Sequence, residues 1–279
     1  MSAMQDMTKG GAAGHLLRYA VPLMLGNWFQ LAYNAVDSII VGQFVGANAL
    51  AAVGAAFPAM FLAMSVLIGI TMGVQIIISQ LFGAGEHERM RATFATSIIS
   101  LMILVVIASV IGYFASGTIL ELMNTPPEII ADSKAYLDEI FKGLIFMFLY
   151  NLYTSVLRGV GDSKTPLYFL IISSILNIVL DLVYVIQFGM GVRGVAVATV
   201  QSQAVSVILC IIYTNIRIPL FRLGLKDLRV DFGILRTVLR FGIPTAIQQS
   251  ISAIGSMLVQ GLVNSFGATA AAAFAAGNK

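Results

Sequence analysis

Charge is what this sequence has least of. Only 10% of its 279 residues are Asp, Glu, Lys or Arg, against 58% that are apolar. A soluble domain carries about a quarter charged residues, so an ordinary water-soluble fold is excluded. Cysteine is nearly absent too: the single Cys210 lies within an apolar run, leaving no intramolecular disulfide and no thiolate metal site. The two histidines, His15 and His87, sit far apart in polar flanks, which argues against a histidine-based metal site. No Ser–His pair or metal-ligand cluster falls inside the apolar runs, so an enzyme is not expected. The net charge is +3, but the basic residues mark the ends of apolar runs, and no nucleic-acid partner is expected. The first apolar stretch is too long for a signal peptide and lacks a small-residue cleavage motif after it.

What is there is apolar sequence in lengths that suit a bilayer, about 20 residues per crossing. Candidate spans fall near 17–44, 51–82, 93–116, 135–157, 166–188, 194–216 and 238–265, and the alanine-rich 267–279 reads as the start of an eighth helix. The fold class expected is all-α: a polytopic membrane protein with a six-helix lobe, a seventh helix and the beginning of an eighth. Lysine and arginine orient it. One side collects Lys9, Arg18, Arg89, Arg91, Arg158, Lys164, Arg217, Arg222, Lys226, Arg229, Arg236 and Arg240, and the other only Lys134, Lys142 and Arg193. That places the N-terminus in the cytoplasm, in a multi-pass protein of the cell (inner) membrane.

The chain divides at "RIPLFRLGLKDLRVDFGILR". This basic stretch with periodic leucines is expected to lie along the membrane interface as an amphipathic linker. The expected organisation is a lobe at 1–216, a linker at 217–237 and the start of a second lobe at 238–279. The second lobe opens as a copy of the first. "LLRYAVP" at Leu16–Pro22 returns as "VLRFGIP" at Val238–Pro244, an offset of 222 residues. "VGANALAAVGA" from Val45 likewise resembles "FGATAAAAFAA" from Phe266. Two six-helix halves in one orientation are a transporter plan, with the substrate path between them. Chance recurrence of arginine before a proline-bearing span is the competing explanation.

Two carboxylates interrupt the apolar runs, Asp37 and Asp181. A carboxylate at the bilayer centre costs about 3 kcal/mol even on the gentlest scale, so such residues face the bundle interior or water and are functional by default. Asp37 lies eight residues before Val45 and Asp181 seven before Phe188. At 1.5 Å per residue, both sit about 10–12 Å below the outer boundary, deep enough to share one cavity. Asn177 and Asp181 are one turn apart. Gln30, Asn34 and Asp37 form a polar stripe on the first helix, with Tyr33 beside it, and Thr199 falls at a similar depth on the sixth. Asn151 is near the middle of the fourth. For Gln30 and Asn151, helix–helix glue is as good a reading as function. Carboxylates, an amide and a hydroxyl are hard ligands that suit Na⁺ and could equally hold a proton. Pro22, Gly26 and Pro58 weaken backbone bonding and permit bending. "RGVGDSKTP" lacks the spacing of a phosphate loop and reads as a turn whose Asp162 and Lys164 are solvated charges.

"VDSIIVGQFVGANALAAVG", "RGVGDSKTP" and "NIVLDLVYV", in these helices, resemble the N-terminal lobe of the multidrug and toxic compound extrusion (MATE) transporters, and the resemblance runs from Leu16 to Lys279. It implies a twelve-helix, two-lobe antiporter that exports drugs and lipophilic organic cations, driven by Na⁺ or H⁺ entry, with no other cofactor. It also implies a cation or proton site at Asp37, Asn177, Asp181 and Thr199, cavity positions at Tyr33 and Asn151, and a bending proline at Pro22. The departure is length, since the second lobe stops after its first helix. A truncated or half-length form is therefore expected, completed by a missing C-terminal lobe or by self-association. A flippase for lipid-linked saccharides is the alternative, although no arginine or lysine lies deep in a span to meet a pyrophosphate.

Overall fold

The computed structural model describes residues 12–224, 227 and 229–277. Among them every regular element is helical. α1 (Ala12–Ile40) continues into a π-helical turn at Val41–Val45, and α2 (Ala47–Gly83) and α3 (His87–Leu122) follow. α4 (Pro127–Gly159) leads to α5 (Lys164–Leu182), which also ends in a π-helical turn, Val183–Gln187. α6 (Gly191–Arg217), α7 (Phe232–Asn264) and α8 (Ala268–Gly277) complete the order. The polytopic all-α fold read from hydropathy is the fold found. Lys9, Lys226 and Lys279 lie outside the described residues.

By length and composition, α2, α3, α4, α5 with its π-helical turn, and α6 are each apolar enough to cross a membrane. α1 and α7, at 29 and 33 residues, are long enough but more polar. Each carries amides and hydroxyls that an 18-residue apolar window does not tolerate. The outward faces are apolar throughout, with Ile103, Ile107, Ile111 and Phe114 of α3 all strongly exposed. Lipid, rather than a dry core alone, is the solvent these faces suit.

α2 is the central post. It packs against α4 and α3 on one side and against α7 and α8 on the other, while α4 carries α6, and α6 carries α5 and through it α1. The α2–α7 seam is closed by small residues. A Cβ on Gly69 would come within 2.2 Å of the Ala246 Cα, and one on Gly73 within 2.7 Å of the Gly242 nitrogen. Glycines four apart on α2 thus meet a Gly–Ala pair four apart on α7, the spacing that lets two membrane helices touch backbone to backbone. The Ser65 and Ser250 hydroxyls are 3.0 Å apart across the same seam. At its C-terminal end α7 is tied to the α3–α4 loop, where the Asn264 amide donates to the Met123 carbonyl.

The linker contains the short 3-10 turn Pro219–Phe221, and α7 begins at Phe232. The segment is pinned onto α3. Arg91 pairs with Asp227 and donates to the Arg222 carbonyl, and Phe221 packs edge-on against Phe94. Thr96 accepts from the Asp231 nitrogen, and the Asp231 carboxylate then caps α7 by accepting from the Gly233 and Ile234 nitrogens.

A correction concerns Asp162. It is no solvated charge: it is 8% exposed, accepts from the Thr165 nitrogen and hydroxyl, and receives the Tyr213 hydroxyl. The α4–α5 turn is therefore built around a capping carboxylate. Lys164 is exposed, as read. α1 and α2 run unbroken through Pro22 and Pro58, both buried. The irregularities fall at the two π-helical turns.

Candidate functional site

Asp37 ends the polar stripe of α1, four residues before the first π-helical turn, and Asp181 lies two residues before the second. The two turns pack against one another, which brings the C-terminal ends of α1 and α5 together. Asp37 and Asp181 are consequently neighbours close enough to interact electrostatically. Asp181 is fully buried and Asp37 is 8% exposed. π-helical turns are rare and recur at functional sites, because the extra residue per turn re-aims the side chains beside it.

Three hydroxyls lie in the neighbourhood of the two carboxylates. Tyr33, one turn before Asp37, is within electrostatic reach of both of them and of Thr199 of α6. Tyr136 of α4 is buried within electrostatic reach of Asp37, Asp181 and Tyr33. The Thr199 hydroxyl proton is given to the Val195 carbonyl at 3.0 Å, which leaves its oxygen lone pairs for the cluster. Asn177, one turn before Asp181 on the same face of α5, is 1% exposed. Neither atom of its amide, and neither oxygen of Asp181, meets a hydrogen-bond donor or acceptor of the ordinary kind among the described residues.

Buried polar atoms left this way cost about 1–3 kcal/mol each. Two carboxylates facing each other in a low-dielectric site also repel strongly unless positive charge separates or neutralises them. Asp181 forms no ion pair among the described residues. The donor set of Asp181, Asn177, Thr199 and Asp37 is all oxygen, and no three His, Cys, Asp or Glu side chains gather among the described residues. It fits a hard monovalent cation or a proton better than a transition metal.

The structure does not bring every candidate together. Gln30 is exposed, and Asn34 is half-buried on the edge of α1. Asn151 donates its amide to the Met147 carbonyl one turn earlier in α4. It lies 15 residues beyond Tyr136, about 22 Å along the helix and well away from the carboxylates. Tyr136 is the cluster member that sequence reading missed. The apolar run of the fourth span begins near 135, which puts Tyr136 at its mouth. α4 begins instead at Pro127, more than two turns earlier, so Tyr136 lies well inside the helix and is buried.

Near the α3–α4 end of the bundle several charges are paired. Lys134 pairs with Asp138, and Lys142 and Arg193 both pair with Glu139. The Ser116 hydroxyl donates to Asp138, and both lysines lie over the Tyr113 ring. These exposed pairs tie α3, α4 and α6 together and contribute little to stability individually.

Helices of membrane length, lipid-compatible faces and two carboxylates buried where α1 and α5 meet define a polytopic membrane protein with a polar site inside its bundle. Comparison with known proteins makes this specific: residues 22–183 match the MatE family model. The chain belongs to the MATE family. It is 37% identical over 268 residues to the probable multidrug resistance protein YoeA of Bacillus subtilis (strain 168), a match covering 94% of this chain and 58% of that protein. Among solved structures it resembles an outward-facing multidrug resistance MATE family transporter of the MOP superfamily. There the TM-score is 0.78 at 28% identity, over 84% of this chain and 52% of that one. An inward-facing MATE structure gives the same TM-score at 25% identity, over 92% and 60% respectively. The chain thus spans little more than half the length of the relatives it matches.

Proposed function

We propose that this protein acts as a cation-coupled antiporter that exports drugs or lipophilic organic cations across the cell membrane, with its N-terminus in the cytoplasm. The observation that carries the proposal is the buried Asp37–Asp181 pair beside the unsatisfied Asn177 amide. Na⁺ or H⁺ arriving from outside would satisfy the Asp181 carboxylate and the Asn177 amide oxygen. Asp37, Asn177, Asp181 and Thr199 hold it, and Tyr33 and Tyr136 line the same space. In the empty state the two carboxylates repel. In the loaded state α1 and α5 draw together through their π-helical turns, and that movement is coupled to displacement of the organic cation. The flippase reading has no support at this cluster, which contains no arginine or lysine for a pyrophosphate.

The test is Asp37→Asn and Asp181→Asn, each assayed for Na⁺- or pH-driven dye efflux from vesicles carrying the protein at the length of its Bacillus relative. Efflux should fall to background in both, with protein folded and inserted as before. Undiminished efflux in both variants ends the proposal. Titrating Na⁺ at fixed pH identifies the coupling ion.

A further inference from the structure

One buried face of α6 is polar along most of its length. Thr199, Ser202, Ser206, Cys210 and Tyr213 recur at spacings of three, four, four and three residues, so at 100° per residue they share one side of the helix. Ser202, Ser206 and Cys210 are fully buried within the first lobe. The stripe begins at the carboxylate cluster, where Thr199 lies within reach of Tyr33. It ends about 21 Å away along the helix axis, where the Tyr213 hydroxyl donates to Asp162 at the α4–α5 turn. Asp162 forms no ion pair among the described residues. A buried carboxylate thus stands at each end of the stripe.

Hydroxyls that glue helices together bond across an interface. Ser202 and Ser206 instead give their protons to the Thr199 and Ser202 carbonyls of their own helix, at 2.9 and 3.1 Å. Their oxygens keep lone pairs with no proton to offer in return. Two further hydroxyls are left over. Ser174 shares the face of α5 that carries Asn177 and Asp181, and Thr214 adjoins Tyr213. Both are buried, at 2% and 1% exposed, and neither oxygen has a partner among the described residues. Close packing alone is served by glycine, as at Gly143 of α4, where Val200 of α6 fills the place of a Cβ. Oxygens that accept without donating suit a cation, whereas a proton relay needs hydroxyls free to pass protons onward. The stretch between Ser206 and Tyr213 is the least polar, carried by Cys210, and at its end the Phe169 ring meets Tyr213 edge-on at 5.7 Å.

We infer that this face of α6 is the route by which a small hydrated cation passes between the Asp37–Asp181 cluster and Asp162, closed here by the Phe169–Tyr213 contact. As the way out for a cation taken up at that cluster, it rests on the cation-coupled reading above. Every group in it belongs to α5, α6 or the α4–α5 turn, inside the first lobe.

Cys210, the one cysteine of the chain, reports on the route without further mutation. In membrane vesicles exposing the α4–α5 turn, a small membrane-impermeant cationic thiosulfonate should label it. An anionic thiosulfonate of the same size should react about tenfold more slowly, corrected for their ratio on a free thiol, because the Asp162 charge lies on the way. Asp162→Asn should bring the two rates together. Phe169→Ala should speed cationic labelling about tenfold, the worth of the aromatic contact it removes. Ile208→Cys in a Cys210→Ala background should stay unlabelled, since Ile208 is 55% exposed on the outward side of α6, where lipid covers it. The melting temperature of each variant checks folding. A Cys210 inert in both wild type and Phe169→Ala would overturn the inference. Equal labelling of wild type by the two reagents would overturn it too, since the face would then be an uncharged crevice. Labelling needs no transport, so its result is separate from that of the efflux test: efflux lost in Asp37→Asn and Asp181→Asn with Cys210 inert keeps the antiporter and removes this route.

Discussion

Gly69→Ala is the substitution whose effect can be worked out most directly. The added Cβ would sit 2.2 Å from the Ala246 Cα and 2.3 Å from its nitrogen. Ordinary carbon contacts lie at about 3.5–4 Å, and the obstructing atoms are backbone, so no rotamer change relieves them. α2 and α7 must move apart by more than 1 Å, which also stretches the Ser65–Ser250 contact beyond hydrogen-bonding distance. Overpacking of this kind costs about 1–3 kcal/mol, and a backbone clash belongs at the upper end. Alanine returns up to about 1 kcal/mol of helix propensity. The net is about 2 kcal/mol, or roughly thirtyfold in the equilibrium between docked and undocked α7. The assay is disulfide formation in S65C/S250C, whose parent hydroxyls are 3.0 Å apart. Cross-linking should be fast in that background and much slower once Gly69→Ala is added. Gly255→Ala is the control, because its Cβ would meet nothing within 4 Å. If the two alanines slow cross-linking equally, close backbone packing does not hold the seam.

Two other substitutions separate the cap from the cluster. Asp162→Ala removes an acceptor used by the Thr165 nitrogen, the Thr165 hydroxyl and the Tyr213 hydroxyl. It should cost about 1–2 kcal/mol in thermal or denaturant unfolding, and Asp162→Asn should recover much of that. Thr199→Val keeps the shape of the side chain and removes the hydroxyl of the proposed cation site. It should shift the Na⁺ or H⁺ concentration for half-maximal thermal stabilisation about tenfold, as expected for one lost ligand to a charged group.

The fold was largely legible because bilayer length is a coarse signal that survives local detail. Each expected span falls within or nearly on one helix, and the eighth helix begins one residue after the point expected. Asp37 and Asp181 stood out because each is a carboxylate inside an apolar run, and each lies just before a π-helical turn. Tyr136 could not be found this way: α4 extends beyond its apolar core by more than two turns, so the run and the helix have different origins. Asp162 was misjudged because hydropathy describes a residue's preference, not the partners a turn assembles around it. The π-helical turns left no sequence signature that propensity or periodicity could detect. They emerge only where two helix ends are packed against each other. The attachment of the linker to α3 could not be read from its own residues, because Arg91 and Thr96, which hold it, lie more than 120 residues earlier.

The α2–α7 seam has a consequence for biosynthesis. Its hydrogen-bonded serines are 185 residues apart in sequence, so the seam cannot close until six helices and the linker have been made and inserted. Until then the Gly69–Gly73 face of α2 lies open to lipid, a smooth groove able to accept any small-residue helix nearby. Pinning the linker onto α3 shortens the search. It delivers α7 already capped, beginning from a fixed point on the lobe, and turns a long-range pairing into a local one. The Arg91–Asp227 and Thr96–Asp231 contacts would then matter more to the yield of correctly assembled protein than to the stability of the finished one.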